Sequence, residues 1–87
     1  MPEVYYLPMS SSRLLKASDL YGLTKEQLRI ARNEIYARHG RRFSSKDLQD
    51  YFNSKPWYHG KGTPESFDTS VLSNIEWSNI KFIEKYE

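Results

Sequence analysis

The groups in these 87 residues that could carry chemistry are few: two histidines, a handful of carboxylates set among arginines, a glycine-flanked lysine and a Trp-Tyr pair. His39 and His59 stand far apart, and the chain has no cysteine. Zinc needs three or four ligands at characteristic spacings, so no metal site is expected. Gly60-Lys61-Gly62-Thr63 has the residue types of a phosphate-binding loop. It lacks the Gly-x4-Gly-Lys-Ser/Thr spacing and the strand-to-helix setting that such a loop requires. The stretch His59–Pro64 therefore reads as an exposed flexible loop.

Glu34, Asp47 and Asp50 are the candidate carboxylates for acid–base work. Glycoside hydrolysis needs two carboxyls facing each other across a cleft. Glu34 instead lies in a segment crowded with arginines, which favours a structural ion-pair network. No nucleophile, base and orienting group form a recognisable set. No catalytic residue and no cofactor are assigned, and the chain is not expected to be an enzyme.

Arg38-His39-Gly40-Arg41-Arg42 is the most basic short stretch. At a helix C-terminus such charge complements the helix dipole. It could equally contact an anion or an anionic polymer, with Trp57 and Tyr58 as an aromatic platform for sugar rings. Arg38, His39, Arg41, Arg42, Trp57 and Tyr58 are thus the candidate binding residues. The alternative for Trp57 and Tyr58 is a plug beneath the loop. Single-strand nucleic-acid binders also combine basic grooves with stacking aromatics. Here the isoelectric point near 8.9 falls short of that signature and no such motif is present, so no nucleic-acid partner is expected.

The elements that must position these groups are helical. Thr24 and Gln27 form a capping box that opens a helix from Lys25 to about His39, and Gly40 is placed to end it. Leu28, Ala31 and Ile35 make its main apolar stripe, flanked by Arg38 and His39. Ile30 and Ala37 lie on another face, with Glu34 between the two, which implies a central helix packed on both sides. Ser45 or Ser44 caps a shorter helix through Leu48, Tyr51 and Phe52, and Pro56 keeps Lys55 out of it. Ser73 and Glu76 form a second capping box, opening a helix to about Tyr86. Leu72, Ile75, Phe82, Ile83 and Tyr86 share its face, with Asn79 in the middle; a buried amide there must be hydrogen-bonded, and loop backbone is the expected partner. Ser18 and Gly22 bracket a short helical turn. Pro8 interrupts residues 4–15, which read as an extended arm with Tyr5, Tyr6 and Leu7 docked on the core and a short β-pairing as an option. The fold expected is a small all-α single domain of three main helices plus a short helical turn, with an extended N-terminal arm. Residues 1–4 read as an added start or linker and 5–87 as the domain.

Leu, Ile, Val and Phe make up only 19 of 87 residues, so the 13 aromatics must supply much of the core, with Tyr5, Tyr6, Phe52, Trp57, Phe67 and Phe82 as core or plug positions. A chain of this size buries roughly 60–65% of its unfolded surface. No apolar run approaches the roughly 20 residues that span a bilayer, and no secretory leader opens the sequence. The net charge of +2 hides an asymmetry: residues 25–46 carry +5 and residues 65–87 carry −3. Either the two regions neutralise each other or the first forms a basic patch.

The run Ala31-Arg32-Asn33-Glu34-Ile35-Tyr36-Ala37-Arg38-His39-Gly40-Arg41 resembles the YARHG domain, a family named for the residues at Tyr36–Gly40. The resemblance extends to Tyr6-Leu7-Pro8, Ser12-Arg13, Asp19-Leu20, Phe43, Leu48, Tyr51-Phe52, Pro56-Trp57-Tyr58, Phe67 and Asn79-Ile80, nearly the whole chain. It implies a bacterial, extracellular domain of a membrane-anchored or secreted cell-envelope protein, touching the membrane only through that parent. It carries no catalytic residues with it. A signature built on Arg32, Asn33, Glu34 and Arg38 reads as a buried polar network tying the central helix to the arm and to the Trp57 turn. The leading expectation is a non-catalytic binding module for cell-wall polymer or a protein partner, monomeric as an isolated domain. Alternatives are a structural spacer or dimerising domain without ligand, a cell-wall glycan hydrolase, and a nucleic-acid binder.

Overall fold

The computed structural model describes residues 5–87. Residues 1–4, expected as a start or linker, lie outside the described residues. The first long helix forms where the capping box directs it. Thr24 Oγ1 accepts from the Gln27 N–H at 3.1 Å, and the Thr24 N–H donates to Gln27 Oε1 at 2.9 Å. From there α1 runs Lys25–Arg38, α2 Lys46–Asn53 and α3 Asn74–Glu84. The box that opens α3 is reciprocal in the same way, with Ser73 Oγ accepting from Glu76 N–H and Glu76 Oε1 from Ser73 N–H, both at 3.0 Å. Single 3-10 turns occupy Pro8–Ser11, Ala17–Leu20, Pro64–Ser66 and Thr69–Val71. No strand occurs among the described residues. The chain is an all-α domain of three helices.

α1 and α3 pack against each other, and the Pro8–Ser11 turn packs on α3. Leu28, Ala31 and Ile35 of α1, Leu48 and Phe52 of α2, Ile80 and Ile83 of α3 and Leu7, Leu15 and Leu20 of the arm form one buried core. Glu34 and Ala37 are buried as well, so α1 is central and covered on both sides. Phe52 is the hub of an aromatic cluster. The rings of Phe43, Tyr51, Tyr58 and Trp57 lie 5.0–5.9 Å from it, in stacked, tilted and edge-on geometries that aromatic pairs favour.

Several local expectations need correction. Pro8 opens a short 3-10 turn within the arm, and no β-pairing occurs among the described residues. Proline suits the first position of a helical turn, where its missing N–H costs nothing. The second turn starts at Ala17 rather than after Ser18, because the Asp19 carboxylate caps the Lys16 N–H at 2.8 Å. Ser45 precedes α2, but its hydroxyl does not cap it; the side chain engages Asp47 and Arg29 instead. The buried face of α3 is turned toward Ile80 and Glu76. Phe82 is only half-buried, and Tyr86 lies beyond the helix end and is exposed. Tyr6 is exposed too: its backbone is held, not its ring.

The charge asymmetry is met partly within the fold. Arg32 pairs with Glu87 through two nitrogens and lies 4.0 Å from Glu84. His39 Nε2 lies 3.0 Å from Glu76. Arg29, in contrast, does not reach the acidic end: it is bonded to Glu26 and to Asp47, just past the basic region.

Candidate functional site

The site grows from the way α1 stops. Gly40 adopts φ +86°, the left-handed conformation that ends helices. Its N–H donates to Ala37 O at 2.9 Å, and the Arg41 N–H reaches back to Tyr36 O at 3.3 Å. This pair of bonds is a Schellman closure, and it satisfies carbonyls that would otherwise be orphaned. The side chains reinforce it. The Arg41 guanidinium lies 4.7 Å from the Tyr36 ring and 5.7 Å from those of Phe43 and Phe67. Arg41 is therefore spent on an aromatic cage, with its Nε buried and unbonded.

Arg38 is spent as well. It donates to Ser10 Oγ at 3.0 Å, Ser11 Oγ at 2.6 Å and Leu7 O at 2.9 Å, and its guanidinium lies 4.4 Å from the Tyr5 ring. Glu34, fully buried one turn earlier, lies 4.0 Å away and accepts the Tyr6 N–H on both oxygens, at 3.0 and 3.1 Å. Burial pushes the Glu34 carboxyl up to about 7, against the pull of the Tyr6 N–H and Arg38. Burial likewise lowers Arg38. Asn79 completes the clamp on the arm. Its Oδ1 accepts from Leu15 N–H at 2.9 Å, and its Nδ2 donates to Ser10 O at 2.7 Å and Arg13 O at 2.8 Å. This is the loop-backbone role expected of it. The network ties α1 to the arm as anticipated; Arg32 instead serves the C-terminal end, and Asn33 Nδ2 bonds its own helix at Arg29 O.

His39 stands at the edge. Its Nε2 meets both oxygens of Glu76, at 3.0 and 3.1 Å. Burial raises the Glu76 carboxyl, but hydrogen bonds from Ser11, the Ser73 N–H and His39 outweigh it and hold the group below its ordinary range.

The 59–64 loop folds back onto this helix end. The Lys61 N–H donates to Gly40 O at 3.0 Å, and Arg42 Nη2 donates to Gly60 O at 3.2 Å. A Cβ on Gly40 would lie 2.8 Å from Lys61 Cε and 3.1 Å from His59 O, so the glycine also makes room for the loop. Between helix end and loop runs a cleft of about 370 Å³ lined by Arg38, His39, Gly40, Trp57, His59 and Lys61. A second depression of about 280 Å³ continues it toward Phe67 and Asp68, sharing His39, Gly40, Lys61 and Val71.

Of the six candidate residues, Arg38, His39 and Trp57 reach the cleft. Arg42 is exposed on the loop side, whereas the Arg41 guanidinium lies among its rings. Tyr58 is 9% exposed, donates its hydroxyl to Arg41 O at 2.6 Å and accepts from Gln49 Nε2 at 3.2 Å, which places it as the plug beneath the loop. Trp57 is half-buried against Tyr5, whose ring centre is 4.8 Å away. His59 and Lys61 are the lining residues that the sequence reading left as a loop tip.

The family model for the YARHG domain matches residues 3–87. The chain belongs to the YARHG domain family. The five signature residues now have visible tasks: Tyr36 supplies a closing carbonyl and a ring for Arg41, Ala37 is buried and supplies the other closing carbonyl, Arg38 holds the arm, His39 binds Glu76, and Gly40 makes the turn. Among solved structures, the domain is similar to part of a crystal structure from Legionella pneumophila subsp. pneumophila described as a putative nutrient binding protein. The match has 34% identity and a TM-score of 0.67, and it covers 80% of this chain and 21% of that one. The chain thus spans about a fifth of the length of that protein. A search of curated proteins gives no significant match.

Proposed function

We propose that this YARHG domain is a non-catalytic binding module, and that the cleft at the C-terminal end of α1 is its contact surface. The observation that carries the reading is the division of labour among the basic residues. Arg38 and Arg41 are consumed by the fold, while Lys61 and Arg42 lie exposed at the cleft and its rim without a carboxylate partner among the described residues. Among the described residues, the single carboxylate lining the cleft system is Asp68, which accepts the Ser70 N–H at 2.9 Å. Glu34 and Glu76 are buried and bonded, a poor basis for a facing acid–base pair. The similarity to a segment of a protein described as a putative nutrient binding protein supports the same reading.

We place the parent protein in the bacterial cell envelope, facing outward, with wall polymer as the leading partner. The test is retention of the purified domain on isolated cell wall. The wild type is expected to be retained, and Lys61→Glu and Arg42→Glu are expected to weaken retention with the melting temperature unchanged. No retention of the wild type, or retention indifferent to both charge reversals, overturns the reading.

A further inference from the structure

We propose that the cleft takes an anionic sugar, with its phosphate or carboxylate held at Lys61 and its ring packed against Trp57; this rests on the binding-module reading above. Three observations converge on it. First, Lys61 Nζ has no hydrogen bond or ion pair among the described residues, although its stem lies across Gly40 inside the cleft. A cation whose backbone is anchored at the cleft and whose charge is left uncompensated is a place for an anion. His59 joins it from the same loop, and His39 faces it with one ring nitrogen already committed to Glu76.

Second, Trp57 is a prepared surface. Its indole is half-buried and braced by Tyr5 at 4.8 Å, Phe52 at 5.9 Å and Tyr58 at 6.2 Å. Tyr5 is in turn covered by the Arg38 guanidinium, so the ring has little freedom to lose when a ligand arrives. Trp57 is one of the residues lining this cleft, and an indole there suits the C–H face of a saturated ring carrying hydroxyls at its edge. Third, the space is small. About 370 Å³ sits near the bottom of the roughly 300–1,000 Å³ usual for ligand sites, room for one sugar unit. The adjoining depression would let a neighbouring unit follow.

An acidic peptide could satisfy Lys61 but makes no use of a fixed indole beside it. The experiment is a titration of the ¹⁵N-labelled domain, read by amide and indole shifts, with glucose 1-phosphate, glucuronate, glucose, inorganic phosphate and a hexaglutamate peptide. Glucose 1-phosphate or glucuronate is expected to give saturable shifts at Gly40, Trp57 and Lys61. Their binding should be about tenfold or more tighter than that of glucose or phosphate alone. Lys61→Glu should abolish it, and Trp57→Phe, chosen to keep the aromatic cluster packed, should weaken it severalfold. Equal binding of glucose removes the anion from the proposal and overturns it. Equal binding of phosphate or of the peptide removes the ring and does the same, as does the absence of saturable shifts with both charged sugars. If the domain is retained on cell wall through Lys61 but ignores every charged sugar, this inference falls and the binding-module reading stands.

Discussion

Asn79 offers the sharpest test of how the domain is held together. It is 1% exposed and makes three hydrogen bonds to three backbone groups of the arm. Each such bond is worth about 1 kcal/mol net, and a buried group left without a partner costs about 1–3 kcal/mol. Asn79→Ala removes all three at once and orphans the Leu15 N–H, so the expected loss is about 3–5 kcal/mol. A domain of 87 residues has a total stability of about 4–13 kcal/mol, so this change takes a large share of it. Asn79→Asp is more discriminating. Its carboxylate can still accept from Leu15, but its other oxygen then faces the carbonyls of Ser10 and Arg13, where the amide donated. That surrounding raises the new carboxyl above the usual value of about 3.9. A raised folded-state pKa means that the protonated form is the one the fold tolerates. The penalty is therefore largest at neutral pH and shrinks as pH falls toward that of the free acid. Urea unfolding of the three proteins at pH 7 and pH 4 measures both effects. An Asn79→Ala loss within about 0.5 kcal/mol, the range of ordinary surface changes, would refute the clamp. An Asn79→Asp penalty that stays constant on acidification would refute the geometry assigned to the amide.

Three further changes probe the rest of the framework. With Glu34 pushed up by burial to about 7 from 4.5, its ionisation costs stability as pH rises through that window, by about 3 kcal/mol in all; the stability difference between wild type and Glu34→Gln should change by that order between pH 4.5 and 7.5, and a constant difference would contradict the burial. Gly40→Ala should cost about 1–2 kcal/mol for the left-handed backbone and more for the contacts with the Lys61 stem and His59 O, and the excess should shrink, without vanishing, in a Lys61→Ala background, because the His59 carbonyl stays in place; chemical denaturation of the double-mutant cycle measures it. Ser73→Ala should lose about 1 kcal/mol through the uncapped Glu76 N–H, seen as a lower melting temperature.

Two of the three helices, α1 and α3, were legible because their start signals are local. Thr24 with Gln27, and Ser73 with Glu76, declare a helix within four residues, and both boxes form. Gly40 was legible for the same reason. The aromatic core also follows from composition, since so few aliphatics leave Phe52 and its neighbours no substitute. What failed depended on distant partners. Periodicity centred the face of α3 on Asn79, which is buried and holds the arm, but it missed Ile80 and Glu76, buried where α1 and the side chains of Ser11 and His39 meet the helix. Arg41 read as a surface cation because nothing nearby in sequence announces that Phe67 will come to cage it. The cleft itself was hidden for a related reason. His59 and Lys61 enter it only because the loop returns to the carbonyl of Gly40, a contact between residues 21 positions apart. A lysine held between two glycines was the one available hint, and it read equally well as a mobile tip.

The clamp on the arm has a consequence for how the chain is made. The arm's backbone partners are Glu34, 28 positions on from Tyr6, and Asn79, 64 to 69 positions on from Leu15, Arg13 and Ser10. During synthesis the N-terminal end of a chain emerges first, and domains usually fold as units once complete. Here the arm leaves the ribosome before the rest of the domain, and the Leu15 amide and the Ser10 and Arg13 carbonyls wait for the last helix before they are matched. Leu7 and Leu15 belong to a core that includes Ile80 and Ile83 of α3, so their packing cannot be complete before that helix arrives. Closure of the arm therefore depends on long-range contacts, which slow folding, and an arrest or truncation before Asn79 leaves the domain without the side chain that seats its arm.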